Sequence, residues 1–127
     1  MTKEERDLFL KTEAKNLLKA KRHKISLEGL KAIPKEAGCY VLYYENEVVY
    51  VGESTNLHGR LLHLRNGEHT ARKSIASLIM KTDLDEKDKK ITDFIEKKME
   101  VAFLVTDLDR KKLEGWLIKE KKPILNQ

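Results

Sequence analysis

The sequence predicts a mixed α/β (α+β) domain, in which a small three-stranded, mainly antiparallel sheet is flanked by helices and preceded by an N-terminal helix. Three observations carry this reading. Two runs rich in β-branched and aromatic residues, "CYVLYYEN" and "EVVYVGE", meet at a short polar break. A third such run, "MEVAFLVTD", stands well downstream. Between and around these runs, apolar residues recur at helical spacing.

The elements follow in the order α, β, β, α, α, β, α. "TKEERDLFLKTEAKNLLKAKRHK" reads as a helix entered at Thr2, whose hydroxyl caps a first turn holding Glu4 and Glu5. Leu10, Ala14, Leu17 and Leu18 give it a narrow apolar stripe that needs a surface to dock on. "ISLEGLKAIPKEA", with Gly29 and Pro34, reads as a connector. The two apolar runs then form an antiparallel hairpin turning around Glu45, Asn46 and Glu47.

Ser54, Thr55 or Asn56 offers the N-cap of a helix whose inner face is Leu57, Leu61 and Leu64, with Gly59 inside it. A short helix passes through Ile75, Leu78 and Ile79, and "DLDEKDKK" reads as a solvated break before the third strand. "RKKLEGWLIKEKK" is the last helix, with Trp116 as a core anchor, and Pro123 ends it by lacking a backbone donor. Gly115 within it suggests a close backbone approach.

A chain of 127 residues can bury a core of its own, and residues 1–34 read as a helical extension and connector to a domain at 35–127. Cys39 is the single cysteine, which excludes an intramolecular disulfide. Without a Cys/His cluster or a visible signal peptide, the reading is a cytoplasmic protein, and no run is apolar enough to span a membrane. The net charge of +5, from 26 basic and 21 acidic residues, suits an anionic partner such as nucleic acid.

Gly38-Cys39-Tyr40, then Tyr50-Val51-Gly52, then Arg60 on the following helix resembles the signature of the GIY-YIG nuclease superfamily. The resemblance spans roughly residues 34 to 127, from the lead-in "IPKEAGCY" through Glu114 in "LEGWLIKEKKP" to Asn126 in "ILN". It implies an endonuclease that hydrolyses phosphodiester bonds in nucleic acid, DNA in the first instance, with Mg2+ or Mn2+ as cofactor.

By residue-level match, Tyr40 sits beside the attacking water, Tyr50 assists, Arg60 and Gly52 meet the phosphate, Glu114 holds the metal, and Asn126 supports that region and the substrate. Such groups answer what the reaction needs: a positioned water, a proton acceptor, and positive charge on the phosphate. Tyrosine has a reference pKa of about 10, so Tyr40 serves as a base only where neighbouring cations lower that value.

Two positions depart from the family pattern. Leu64 stands four residues after Arg60, where the family often has His or Tyr, and His63 stands three residues after it. His63 is therefore included among the candidate catalytic residues, with His69 in "NGEHT" as a second proton-handling candidate and His58 behind it. Glu53 directly follows Gly52 and puts negative charge near the expected phosphate path. The competing class is a GIY-YIG-fold binding or interaction module without activity. The resemblance also leaves open a homodimer or a separate targeting partner.

Overall fold

Thr2 opens the first helix as the sequence predicts. Its hydroxyl accepts the Glu5 N–H at 3.1 Å, and α1 runs over Lys3–Lys19. The structure, a computed structural model, describes all residues 1–127. Leu10, Ala14 and Leu17 are the buried stripe of α1. Each enclosed leucine contributes about 1.5–3 kcal/mol as an upper estimate, which fastens the helix to the sheet.

The three predicted strands form as β2 (Gly38–Tyr44), β3 (Glu47–Ser54) and β4 (Met99–Val105). A fourth strand, β1 (His23–Lys24), adds to the sheet through His23 opposite Val101 and Lys24 opposite Glu100, giving the antiparallel order β1-β4-β2-β3. Two residues are too few for an alternating pattern to show in the sequence. Residues expected to form an N-terminal extension thus supply both a helix and a strand to the same body.

The hairpin turns at Glu45 and Asn46, which take φ of 50° and 66°, between the paired Tyr44 and Glu47. Two left-handed residues match the right-handed twist of the strands. Arg22 secures this corner: it donates to Asn46 Oδ1 at 2.9 Å, and its guanidinium lies 3.7 Å from the Tyr43 ring centroid.

Register slips once, with Leu42 opposite Tyr50 but Tyr43 opposite Val48. Val49 is the extra residue of a β-bulge. The bulge lets Val49 and Tyr50 both join one face, while Val48 and Val51 pack on the other.

That first face carries Tyr40 and Leu42 and is covered by α2 (Leu57–Asn66), α3 (Ala71–Ser74) and α4 (Lys89–Lys98). The second face carries Cys39, Val41 and Tyr43 against α1 and α5 (Arg110–Lys121). Of the three cap candidates before α2, Asn56 is used, and its side chain accepts the Gly59 N–H at 3.0 Å.

Three elements differ from expectation. α4 forms where no helix was predicted. Asp88 caps it by accepting the Lys90 N–H at 2.8 Å, and Ile91 and Ile95 are buried beneath its charged exterior. The helix through Ile75 and Ile79 continues α3 as a π-helical turn, Ile75–Ile79, and the altered phase leaves Leu78 exposed. Trp116 is only half-buried, and Leu113 and Leu117 anchor α5 instead. No helix is long and apolar enough to cross a membrane.

Candidate active site

Tyr40 in β2 and Gly52 in β3 are cross-strand partners. A β-carbon on Gly52 would lie 2.4 Å from Tyr40 Cζ and 2.5 Å from its hydroxyl oxygen. Gly52 is therefore the place where the phenol lies across the sheet, and no other residue leaves it room. The bulge at Val49 brings Tyr50 to the same face, with its ring centroid 6.1 Å from that of Tyr40. Asn126, in a 3₁₀ turn at Ile124–Asn126, fixes this stretch of β3. Its amide accepts the Val51 N–H at 2.8 Å and donates to the Val51 carbonyl at 2.9 Å.

From the family resemblance Asn126 is expected to support substrate and the metal region. Each polar atom of its amide makes one bond to the Val51 backbone, between Tyr50 and Gly52, so it braces that edge strand.

Arg60 projects from α2, half-buried, and its charge acts on both phenols. None of the ion pairs in the chain uses it. An arginine beside two hydroxyls with no carboxylate partner is a cation free to receive an anion. Tyr40 itself is fully enclosed, whereas Tyr50 is partly open. Burial chiefly, then Tyr50, raises the Tyr40 pKa well above its ordinary value, and the opposing pull of Arg60 does not compensate. Arg60 alone therefore does not make Tyr40 a base: in the free chain it is a neutral, enclosed phenol. Tyr50 is likewise raised, first by burial.

The two histidine candidates divide clearly. His63 faces outward with its side chain 52% exposed, and its Nε2 lies 3.7 Å from Glu68. His69 is buried, and its Nε2 lies 2.7 Å from the Tyr40 hydroxyl. His69 also sets its ring edge-on to both tyrosines, with centroids 6.3 Å from Tyr40 and 5.4 Å from Tyr50. Of the two, the structure puts His69 on Tyr40. The helix position four after Arg60 belongs to Leu64, which is wholly in the core. His58 is structural, and its Nδ1 donates to the Leu30 and Ile33 carbonyls at 3.0 and 3.2 Å.

His69 owes its place to Arg72, a residue the sequence reading passed over. Arg72 is fully buried and gives its donors to four carbonyls: Glu86 at 2.6 Å, Leu64 at 2.8 Å, and Arg65 and Asp88 at 3.0 Å. It ties the end of α2 and the entry to α4 together around the loop that carries His69. The available signal was position, since Arg72 shares the inner helical spacing with Ile75 and Ala76.

Glu114 lies on α5, which packs along β3 on the opposite side of the sheet from α2, and its charge is nevertheless felt by Tyr40 and Tyr50. Burial first, then the Glu53 carboxylate, raises the Glu114 pKa, with the Glu53 main-chain N–H and Lys111 opposing. Glu53 is itself paired with Arg110, 2.8 Å away, a cation that Asp107 shares, so it does not stand as a bare charge. Glu114 has no such partner. Gly115 beside it has nothing within 4 Å of a β-carbon, which corrects the expected close approach.

No group of three or more His, Cys, Asp or Glu side chains converges anywhere in the chain. A half-buried carboxylate without an ion pair, next to a second carboxylate, nonetheless fits one hard cation that completes its shell with water and phosphate oxygens. The surface hollows, of about 420, 460 and 290 Å³, lie away from this group.

Residues 16–127 match the sequence model of the GIY-YIG catalytic domain. UvrABC system protein C of Prochlorococcus marinus (strain MIT 9211) is 32% identical over 100 residues, which cover 76% of this chain but 13% of that much longer protein. Among solved structures, the magnesium-bound GIY-YIG N-terminal endonuclease domain of UvrC from Thermotoga maritima superposes with a TM-score of 0.53. It is 18% identical, over 79% of this chain and 93% of that one. A tyrosine-to-phenylalanine point mutant of the same domain, bound to its catalytic divalent cation, also gives 0.53 at 17% identity, over 79% of this chain and 92% of that one.

Proposed function

The chain belongs to the GIY-YIG catalytic domain family and is an enzyme of the nuclease class, and on that premise we propose that it is a metal-dependent endonuclease acting on DNA. The observation that carries this reading is the unpaired Arg60 beside the Tyr40 and Tyr50 phenols, with the uncompensated Glu114 acting on the same pair.

Each residue has a role that its surroundings support. Arg60 receives the scissile phosphate with its fork of donors. Tyr50, the more open phenol, meets the attacking water, and Tyr40 behind it becomes an acceptor for the water's proton, relayed through Tyr50, only as the phenolate, once its own proton has left to solvent as the site is loaded. Burial keeps Tyr40 neutral in the free chain, so this role requires the cationic surroundings of the loaded site. Gly52 admits the Tyr40 ring, and Asn126 holds the strand that carries Tyr50. Glu114 is the ligand for one Mg2+ or Mn2+ ion. When bound, that ion supplies positive charge to the phosphate and the departing oxygen. DNA is preferred over RNA on the family resemblance, and the positive net charge suits either polymer.

The test is cleavage of supercoiled plasmid, single-stranded DNA and RNA by the folded protein, with Arg60→Ala beside it. The reading expects DNA to be cut and the variant to lose at least about 100-fold. RNA cut in preference to DNA would reassign the substrate. No cutting of any polymer would favour a binding module.

A further inference from the structure

His69 contacts two groups, and together they fix where its proton sits. The Ala71 main-chain N–H donates to His69 Nδ1 at 2.9 Å. Nδ1 therefore presents its lone pair and carries no hydrogen. A neutral imidazole has one N–H, which must then be on Nε2, and Nε2 lies 2.7 Å from the Tyr40 oxygen. The bond runs from His69 to Tyr40, with the phenol oxygen accepting.

Building on the nuclease reading of this site, we infer that His69 is a positioning residue that donates a fixed Nε2–H to Tyr40, holding the phenol and stabilising its oxygen whenever the proton leaves, and that it takes no proton itself. For His69 to accept a proton, Nδ1 would have to abandon the Ala71 N–H, leaving two N–H groups face to face in an enclosed space.

The surroundings point the same way. The cations whose charge reaches the ring are Arg60 from α2 and Arg72 from α3, with the titratable His63 at the rim, and a positive charge on any of them disfavours another cation there. Burial, the largest influence, and these neighbours hold the His69 pKa down to about 3. The loop is built to keep this geometry. Gly67 turns at φ 111°, the N–H groups of Gly67 and Glu68 both return to the His63 carbonyl, and Arg72 N–H closes on the His69 carbonyl at 3.2 Å.

With its oxygen already accepting from His69, the Tyr40 hydroxyl proton must be directed elsewhere. On losing that proton, the phenolate keeps the Nε2–H donor and the nearby Arg60 charge. A buried tyrosine with a preset donor at its oxygen needs no rearrangement when negative charge develops there.

The tautomer is directly observable. Long-range 1H–15N correlation spectra of the uniformly 15N-labelled protein, recorded without metal or substrate from about pH 5.5 to about pH 8, report which ring nitrogen bears the proton. The expected result is an Nε2–H pattern for His69 that does not change with pH. An Nδ1–H pattern, or conversion to imidazolium in that range, would overturn the inference.

In the cleavage assay, His69→Gln keeps an amide donor near the Nε2 position and should hold activity within about tenfold. His69→Phe, without a donor, should lose at least about 100-fold. Equal losses in the two variants would also overturn the donor role. If the unaltered protein cuts nothing, the nuclease reading falls, and the spectrum still decides the tautomer.

Discussion

Gly52 and Tyr40 face each other so closely that a single added carbon on Gly52 would lie 2.4 Å from the phenol ring. The glycine and the tyrosine are one unit, with the side chain of one occupying the space that the other lacks. Gly52→Ala should push the Tyr40 ring off the sheet and away from His69. The expected cost is about 1–3 kcal/mol of stability from overpacking, with cleavage lost by more than about tenfold. Urea unfolding and a cleavage assay on the same preparation check both.

Arg72 should be the least replaceable residue outside the site. Its loss would leave the Leu64 and Glu86 carbonyls without this donor in a closed space, while those of Arg65 and Asp88 keep Thr92 Oγ1 and the Ile91 N–H, and methionine replaces nothing. Arg72→Met should cost at least about 3 kcal/mol, measured as a lowered denaturant midpoint. Lysine brings a charge but not the planar fork, so Arg72→Lys should recover only part of the loss.

Gly115 makes the opposite prediction. It lies inside α5 with open space where a β-carbon would point. Gly115→Ala should stabilise the fold by about 1 kcal/mol, seen as a higher urea midpoint. A decrease would reveal a close contact that the structure does not contain.

Acid should weaken the fold partly through His69. Its folded-state pKa, about 3, lies below the ordinary 6.5, so between these values the unfolded chain binds a proton that the folded chain refuses. Its contribution is whole above about pH 6.5 and is lost as pH falls towards 3. Comparing urea midpoints at about pH 7.5 and about pH 4.5, the unaltered protein should lose more stability than His69→Gln, which has no titrating ring. An equal loss would mean that His69 is not held neutral.

Asn126→Ala should fray the edge of β3 where Tyr50 and Gly52 sit. Removing both bonds to Val51 is expected to cost about 1–2 kcal/mol, and cleavage should fall further than that destabilisation alone explains. Melting curves and cleavage rates taken below the transition separate the two effects.

Much of this arrangement was legible from local pattern. The tyrosine and glycine spacing, the hairpin and the helix bearing Arg60 all depend on neighbours in the chain, and sequence periodicity reports such relations well. The bulge at Val49 was not legible, because one extra residue leaves no mark in a run that is apolar throughout. α4 was hidden by its lysines and acids, although Ile91, Phe94 and Ile95 hold helical spacing. The pairing of His69 with Tyr40 spans 29 positions and depends on the loop gathered by Arg72, which only the tertiary structure shows. The exposed His63 looked better in sequence because it lies closer to Arg60 along the chain.

Glu114 is proposed to hold a divalent cation for phosphodiester cleavage beside Arg60 and the two phenols. The most direct measurement is nicking of supercoiled plasmid as Mg2+ is titrated, comparing the unaltered protein with Glu114→Gln. Nicking should depend on Mg2+ and fall at least about 100-fold in the variant, with no loss of thermal stability, since a half-buried charge has been removed. Nicking that persists in chelator, or that Glu114→Gln performs as well as the unaltered protein, would contradict it.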